Sequence, residues 1–441
     1  MASPLPPTPT GHPVVGHALR FARGPFEFVD DATTECGDAY RMELPGSNDI
    51  YALCHPEYFE HVLVAEVDSF TKTEDYQQAF GNGLLSTDDS QWRTQRNTLQ
   101  PLFYRDHIMD FADQMSMCTQ RRLETWHEGQ THDIESEMKN LTFEILFSTL
   151  FGREVQPGED AELREAADGI NDWFVPSSWM LPNWIPTPAR RRFKQSKSRL
   201  REEVRAIFAD NREQSLTESK DILSQLRRVH NTDAGLSKKE IEDQLVTMVF
   251  AGYETTAVAL AFAWYSLSDD PEIRREFHQE LDMVLDGRTP TFNDLPELEV
   301  TERIVKETLR LFPPVHTIPR RTKRPVEFDG FHVPEGEEVH LAVLHAHRDP
   351  TIYANPTEFQ PDRWKDDLED EIHDFGYIPF GGGRRTCIGR EFALLEAKIV
   401  LATIGQHFQL TADHTTDIEL EPQITTQSKN GIPMTVQPRE E

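Results

Sequence analysis

Lysine is scarce in this chain: 12 Lys stand beside 33 Arg, against 76 Asp and Glu, and the formal net charge at pH 7 is −31. So little positive charge argues against nucleic acid or anionic lipid headgroups as partners, because such a surface repels phosphates. The acidic residues are spread along the chain rather than gathered in a tail. That pattern suits concentrated salt, where screening removes self-repulsion and carboxylates hold hydrated cations, so a halophilic source is the expectation. Cysteine is sparse too. Cys36, Cys54, Cys118 and Cys387 stand far apart and form no Cys-x-x-Cys pair, which argues against a disulfide framework or a zinc site and fits a reducing compartment. No Gly/Ser linker, repeat or low-complexity block divides the 441 residues, so one large domain over 1–441 is expected, mainly α with a small β-rich side. Residues 1–16 have neither the basic nor the apolar region of a signal peptide, and a soluble, cytoplasmic protein is expected.

The apolar run 245–264 is long enough to cross a membrane. Glu254 sits in its middle beside Thr255 and Thr256, and a lone carboxylate there is costly in lipid. The run is read as a helix buried through a soluble core, begun by the capping box Ser237-Lys-Lys-Glu240, with no integral membrane segment. Residues 40–44 and 50–54 read as strands around the loop 45–49, and 56–67 as a short helix with proline at its start. A helical pattern covers 103–151, with Phe143, Leu146, Phe147, Leu150 and Phe151 on its core face. Another helix is expected over 296–312, again with proline at its start, stopped by Pro313 and Pro314. Strands at 325–328 and 331–333 flank Asp329-Gly330, 338–344 continues a sheet, and 418–436 reads as a closing hairpin around 428–431. Within 171–189, Trp173, Phe174, Trp179, Met180, Leu181, Trp184 and Ile185 alternate with prolines. This apolar loop is a lid, an interfacial patch, or plain helix packing.

Cys387 lies in Phe380-Gly-Gly-Gly-Arg-Arg-Thr-Cys387-Ile-Gly389, directly ahead of an apolar helical run over 391–408. Glycines let a flat ligand approach the backbone, and a helix N-terminus with arginines favours negative sulfur. A thiolate below a haem iron donates electron density that favours O–O cleavage. In the central run, Ala-Gly-x-Glu-Thr-Thr can loosen a helix and turn polar groups toward a cavity. A threonine bonded back to its own helix is the alternative.

Phe380, Gly383, Arg385, Cys387 and Gly389 fill every fixed position of F-x-x-G-x-R-x-C-x-G, and the chain resembles the cytochrome P-450 superfamily in a soluble archaeal or bacterial form. The resemblance implies the cytochrome P-450 fold, with haem b between the central helix and the helix after Cys387, and Cys387 as the iron ligand. It implies Glu254 and Thr255 as the acid–alcohol pair that delivers protons during oxygen activation. Trp92 and Arg96, at i and i+4 on one helix face, Arg320 (with Arg321 as its adjacent competitor) and Arg385 are implied to hold the propionates. Glu307, Arg310 and Arg363 would brace the haem-side loop. His345, His347 and Asp349 match a metal-free segment of the family, and Ile424 and Thr425 would lie near substrate. The implied reaction uses O2 and electrons from NAD(P)H, passed on by a ferredoxin or flavodoxin, to insert one oxygen into a small lipophilic substrate. Arg384, Arg390 and Lys398 would offer that partner a basic patch. A haem-thiolate peroxygenase or isomerase would dispense with the acid–alcohol pair. A non-catalytic haem sensor would need neither the pair nor the apolar loop.

Overall fold

Ser237 and Glu240 cap each other's backbone N–H groups, and a 32-residue helix follows, Lys238–Asp269. At about 1.5 Å per residue it runs ~48 Å, enough to traverse a domain. It is long and apolar enough to cross a membrane, yet 78% of its most apolar window is buried against protein. The computed structural model describes residues 3–44, 48–159, 161–175, 178, 185–209, 222–230, 236–366, 368–413 and 418–439. The central helix packs along Ile134–Leu150 on one side and against Glu299–Leu311 and Arg390–His407 on another. Phe143 and Phe147 stack with ring centroids 4.4 Å apart, and Thr142 Oγ1 donates to Tyr253 O across the helix pair at 2.9 Å. Gly252 permits this approach: a Cβ there would meet Leu146 Cδ1 at 2.5 Å.

The β-rich side begins with β1 (Ala39–Met42), β2 (Ile50–Leu53) and β3 (Phe70–Thr71). Along the chain follow β4 (Thr131–Asp133), β5 (Ile318–Thr322), β6 (Val326–Phe328), β7 (Phe331–Val333) and β8 (Glu338–Leu341). The last are β9 (Phe408–Ala412), β10 (Leu420–Pro422), β11 (Thr426–Ser428) and β12 (Pro433–Pro438). One sheet has the order β1-β2-β8-β5-β3, and β12 lies between β4 and β9 in another. Asp329 and Gly330 both take positive φ, 47° and 76°, the geometry a two-residue hairpin turn requires.

Four expected boundaries move. The stretch 103–151 is not one helical run: a turn at Gly129 (φ 80°) and strand β4 interrupt it. Strand β4 pairs with β12, roughly three hundred residues away in sequence, which no local periodicity reveals. Pro296 falls inside a 3-10 turn, Phe292–Glu297, begun by a Thr291–Asp294 capping box, and the helix starts only at Glu299. Strand β8 stops at Leu341, and Val343–Ala346 coils into a helical turn. The tail does not close around 428–431. Its hairpin joins β10 to β11, while Gly431 (φ 74°) redirects the chain so that β12 pairs with β4 and β9.

Of the apolar loop, Trp179, Met180, Leu181 and Trp184 lie outside the described residues, as do Pro45, Gly46 and Ser47 of the first hairpin. Trp173 and Phe174 turn inward. The Trp173 ring packs on Phe193 at 5.1 Å and its Nε1 donates to Asp75 at 2.9 Å, and Phe174 meets Tyr76 at 5.9 Å.

Candidate active site

The Cys387 loop is shaped by backbone contacts. Gly383 has φ 61°, and a Cβ on it would lie 2.5 Å from Leu63 O, so only glycine fits against that neighbouring turn. Cys387 N donates to Phe380 O at 2.9 Å, and Gly389 is the N-cap of the helix Arg390–His407. Cys387 is an exposed free cysteine although protein surrounds it. Burial pushes its thiol up, while a hydrogen bond from the Gly389 N–H, Arg96 and Arg390 pull it down. A coordinated metal ion deprotonates such a thiol outright.

Between Ile241 and Trp264 the central helix is buried except for Met248, Ala251, Gly252 and Thr255. Their spacing is i, i+3, i+4, i+7, one face of a helix. Thr255 is on this half-buried face. The Thr255 Oγ1 donates to Ala251 O at 2.8 Å, so the back-bonded geometry is present, and its lone pairs remain free to accept. Glu254 is fully buried and points elsewhere. Its Oε1 accepts from Asn171 Nδ2 at 2.7 Å, from Thr425 Oγ1 at 3.0 Å and from Gln427 Nε2. Burial raises its pKa to about 7, with Lys139 opposing and Asp168 reinforcing the rise. Thr425, expected near substrate, meets Glu254; Ile424 is half-buried beside it. On the other side of the helix, Glu396 is buried, and burial holds its carboxyl well above the usual range, with Thr256 opposing.

Cations gather at the edge of the site. Helix Asp89–Leu99 carries Trp92, buried, and Arg96, whose Nη1 donates to Thr386 O at 2.8 Å. The Arg385 guanidinium lies 4.2 Å from the Trp92 ring centroid and pairs with Asp88 at 2.5 Å. Arg320 is buried and donates to Pro319 O at 2.8 Å, with no carboxylate in contact among the described residues. Arg321 instead faces Gly336 O and Glu74, because alternate residues of a strand point to opposite faces. Of the two competitors, Arg320 is the inward one. Sequence reasoning missed Lys72. Burial, then Arg320 and Arg385, hold its ammonium well below the lysine range, with Asp88 opposing. Lys72, Arg320 and Arg385 thus share Asp88 as a common counter-charge. A buried cation without a contacting carboxylate, as Arg320 is, is costly, and the two carboxylates of haem b would relieve it. The donor set, the half-buried helix face and the glycine-shaped cysteine loop all fit that group.

Behind the loop, Glu307 and Arg310 are fully buried and paired at 2.8 Å, and Arg363 Nε reaches Glu307 at 2.9 Å. Trp364 Nε1 and Gln360 N complete the set of donors on the same carboxylate. Two expectations need correction. Lys398 is not part of a surface patch: it is buried, with Nζ on Leu295 O and on Glu302 at 2.7 Å, because its position on the helix faces the core. Arg384 is partly neutralised by Asp68 at 2.6 Å; Arg390 remains exposed, 5.9 Å from the Phe380 ring centroid. His345, His347 and Asp349 diverge, to Asp30, to Ile378 N and to Thr351 respectively. Asn171, Gln427, Lys139 and Lys72 carry no local motif. Each reaches the site through long-range packing, so no sequence signal marks them.

A family model described as Cytochrome P450 matches residues 6–434. Cyclooctatin synthase of Streptomyces melanosporofaciens is 33% identical over 426 residues, covering 95% of this chain and 92% of that protein. Cyclooctat-9-en-7-ol 5-monooxygenase of the same organism is 33% identical over 410 residues, 91% of this chain and 88% of the relative. Pentalenene oxygenase of Streptomyces avermitilis is 30% identical over 419 residues, 93% and 92% of the two chains. The solved structure of retinoic acid-bound cyanobacterial CYP120A1 superposes with a TM-score of 0.88 at 24% identity, over 99% of this chain and 100% of that one. That last likeness is one of fold.

Proposed function

Because the chain belongs to the cytochrome P450 family, we propose that Cys387 holds the iron of its haem b and that Glu254 and Thr255 handle protons on the opposite face. The protein is a haem-thiolate monooxygenase that incorporates molecular oxygen with electrons from NAD(P)H through a redox partner. The haem supplies the oxygen chemistry; the side chains position, shield and move protons. Arg96, Arg320 and Arg385 bind the haem carboxylates, joined by Lys72, and Trp92 packs beneath Arg385. Phe380 and Gly389 hold the loop that presents the sulfur. The single observation that carries the reading is the half-buried helix face with Thr255 on it and Glu254 fully buried next to it. Replacing Thr255 by Ala tests it: product formed per NAD(P)H consumed should fall at least tenfold, as expected for loss of a proton-handling group, while haem content stays. Unchanged coupling would refute the role.

The substrate is small and lipophilic, and the terpene class is favoured by relatives named for cyclooctat-9-en-7-ol and pentalenene. Titrating the haem protein with cyclic terpenes and with fatty acids separates the classes by substrate-induced spin-state change. A response to fatty acids alone would overturn the terpene reading. The partner is a ferredoxin or flavodoxin that docks at the cysteine-loop side. A cleft of about 670 Å3 opens there, lined by Arg105, Phe292, Phe380, Arg390 and Leu394 among others. Charge reversal of Arg390 should slow reduction by the partner and leave reduction by dithionite unchanged. The protein works in the cytoplasm of a bacterial or archaeal halophile. The spread of 76 acidic residues supports the salt adaptation, and equal thermal stability in dilute buffer and molar salt would refute it.

A further inference from the structure

Glu254 is held from outside its own helix. Its Oε1 is occupied by Asn171, Thr425 and Gln427, whereas Oε2 is buried without a hydrogen-bond partner among the described residues. Gln427 turns its own oxygen to Lys139 Nζ at 3.1 Å, and Lys139 pairs with Glu135 at 3.1 Å. Glu135 in turn accepts from Ser428 N at 2.9 Å, so the network closes on β11. The orientation of the Gln427 amide is thereby fixed. Reversed, its oxygen would face a carboxylate and its NH2 an ammonium. A carboxyl with one saturated and one bare oxygen is asymmetric, and in a buried setting the proton sits on the bare one.

We propose that Asn171, Gln427 and Lys139 are positioning residues for proton delivery: they park Glu254 through Oε1, leave Oε2 as the atom that carries and releases the proton, and set how readily it does so. The inference rests on the proton-handling reading of Glu254. The charged and titratable groups around it come from several elements. Helix Ile134–Leu150 contributes Lys139 and Glu135. Helix Ala161–Asp168 contributes Asp168, bonded to the Tyr253 hydroxyl, and Arg164. On Arg390–His407, Glu396 lies toward Thr256, and on Pro188–Ala209 the cations Arg201 and Arg205 are engaged by Asp243 and Glu242 nearer the start of the central helix. Lys139 is the cation that favours the Glu254 carboxylate, and Asp168 the anion that opposes it.

The experiment uses the haem-loaded enzyme with its reductase system. Coupled product formation is measured across the neutral pH range, and the infrared band of the protonated Glu254 carboxyl, identified by its loss in Glu254→Gln, is titrated without turnover. Lys139→Met should move both the alkaline limb of activity and the infrared midpoint upward by about one pH unit, as expected for loss of a nearby opposite charge. Lys139→Arg should restore them. Gln427→Leu and Asn171→Leu should shift them in the same direction by less, with substrate-induced spin change at unaltered concentration. Midpoints unmoved in the folded variants, or a loss of rate equal at every pH, would overturn the inference. Should Lys139→Met fail to fold because Glu135 is left unpaired, the Gln427 and Asn171 variants decide. If Glu254→Gln leaves coupling intact, the reading of Glu254 itself fails; if it impairs coupling while the midpoints stay fixed in the other variants, only the positioning role falls.

Discussion

Replacing Glu307 by Gln removes one charge and changes no shape, and the structure makes that a severe change. Both carboxylate oxygens of Glu307 are acceptors: Oε1 takes Arg310 Nη2 (2.8 Å), Arg363 Nε (2.9 Å) and Gln360 N (2.9 Å), while Oε2 takes Arg310 Nε (2.9 Å) and Trp364 Nε1 (2.9 Å). Glutamine can place its oxygen on the three-donor side only by turning its NH2 toward the other two donors. Arg310, with no exposed surface, then keeps the carbonyls of His347, Pro356 and Glu358 but has no full counter-charge. Breaking one side of a buried pair costs about 3–5 kcal/mol. Urea unfolding of the haem-loaded protein, read by circular dichroism, should show that loss as a lower midpoint at constant slope. The double variant Glu307→Gln with Arg310→Met should be less destabilised than Glu307→Gln alone, since the fully buried cation is removed together with its counter-charge. A loss under about 1 kcal/mol for the single variant would refute the reasoning, because that is the range of an exposed pair.

Two further outcomes are expected. Arg320→Ala, and Lys72→Ala to a lesser degree, should weaken haem retention, measured as the rate of haem transfer to apomyoglobin, with little change in the stability of the haem-free chain; an unchanged rate in both would mean that these cations do not meet the haem carboxylates. Glu254 has a folded pKa of about 7, raised above its ordinary value, so its contribution is fully favourable below the unfolded pKa and is lost as pH rises through 7. Glu254→Gln escapes that loss, and its stability relative to the parent should climb from mildly acidic to mildly alkaline pH by about 3 kcal/mol. A pH-independent difference between the two would contradict the buried-carboxyl account.

Much of the site was legible because its residues are neighbours in sequence. The Cys387 loop must supply glycine at a left-handed, closely packed position and a cysteine at a helix start, so its motif is compact. The Ser237 capping box and the Glu307–Arg310 spacing are equally local, and each stands where the sequence places it. What the sequence left open depended on which way a side chain turns in the folded chain. Arg320 and Arg321 are adjacent and chemically equal, and only strand alternation in the sheet decides between them. Lys398 looks like a surface cation until its helix is seen packed inward. The partners of Glu254 are residues 171, 425 and 427, with Lys139 behind Gln427, far apart in sequence and joined by long-range packing.

The central claim is that Cys387 ligates haem iron as a thiolate beneath a helix face that handles protons. The carbon monoxide difference spectrum of the reduced, haem-loaded protein tests it most directly. A strongly red-shifted Soret band is expected from the parent, and Cys387→His should lose it while still binding haem. A folded, haem-loaded parent without that band, or a Cys387→His variant that keeps it, would contradict the account.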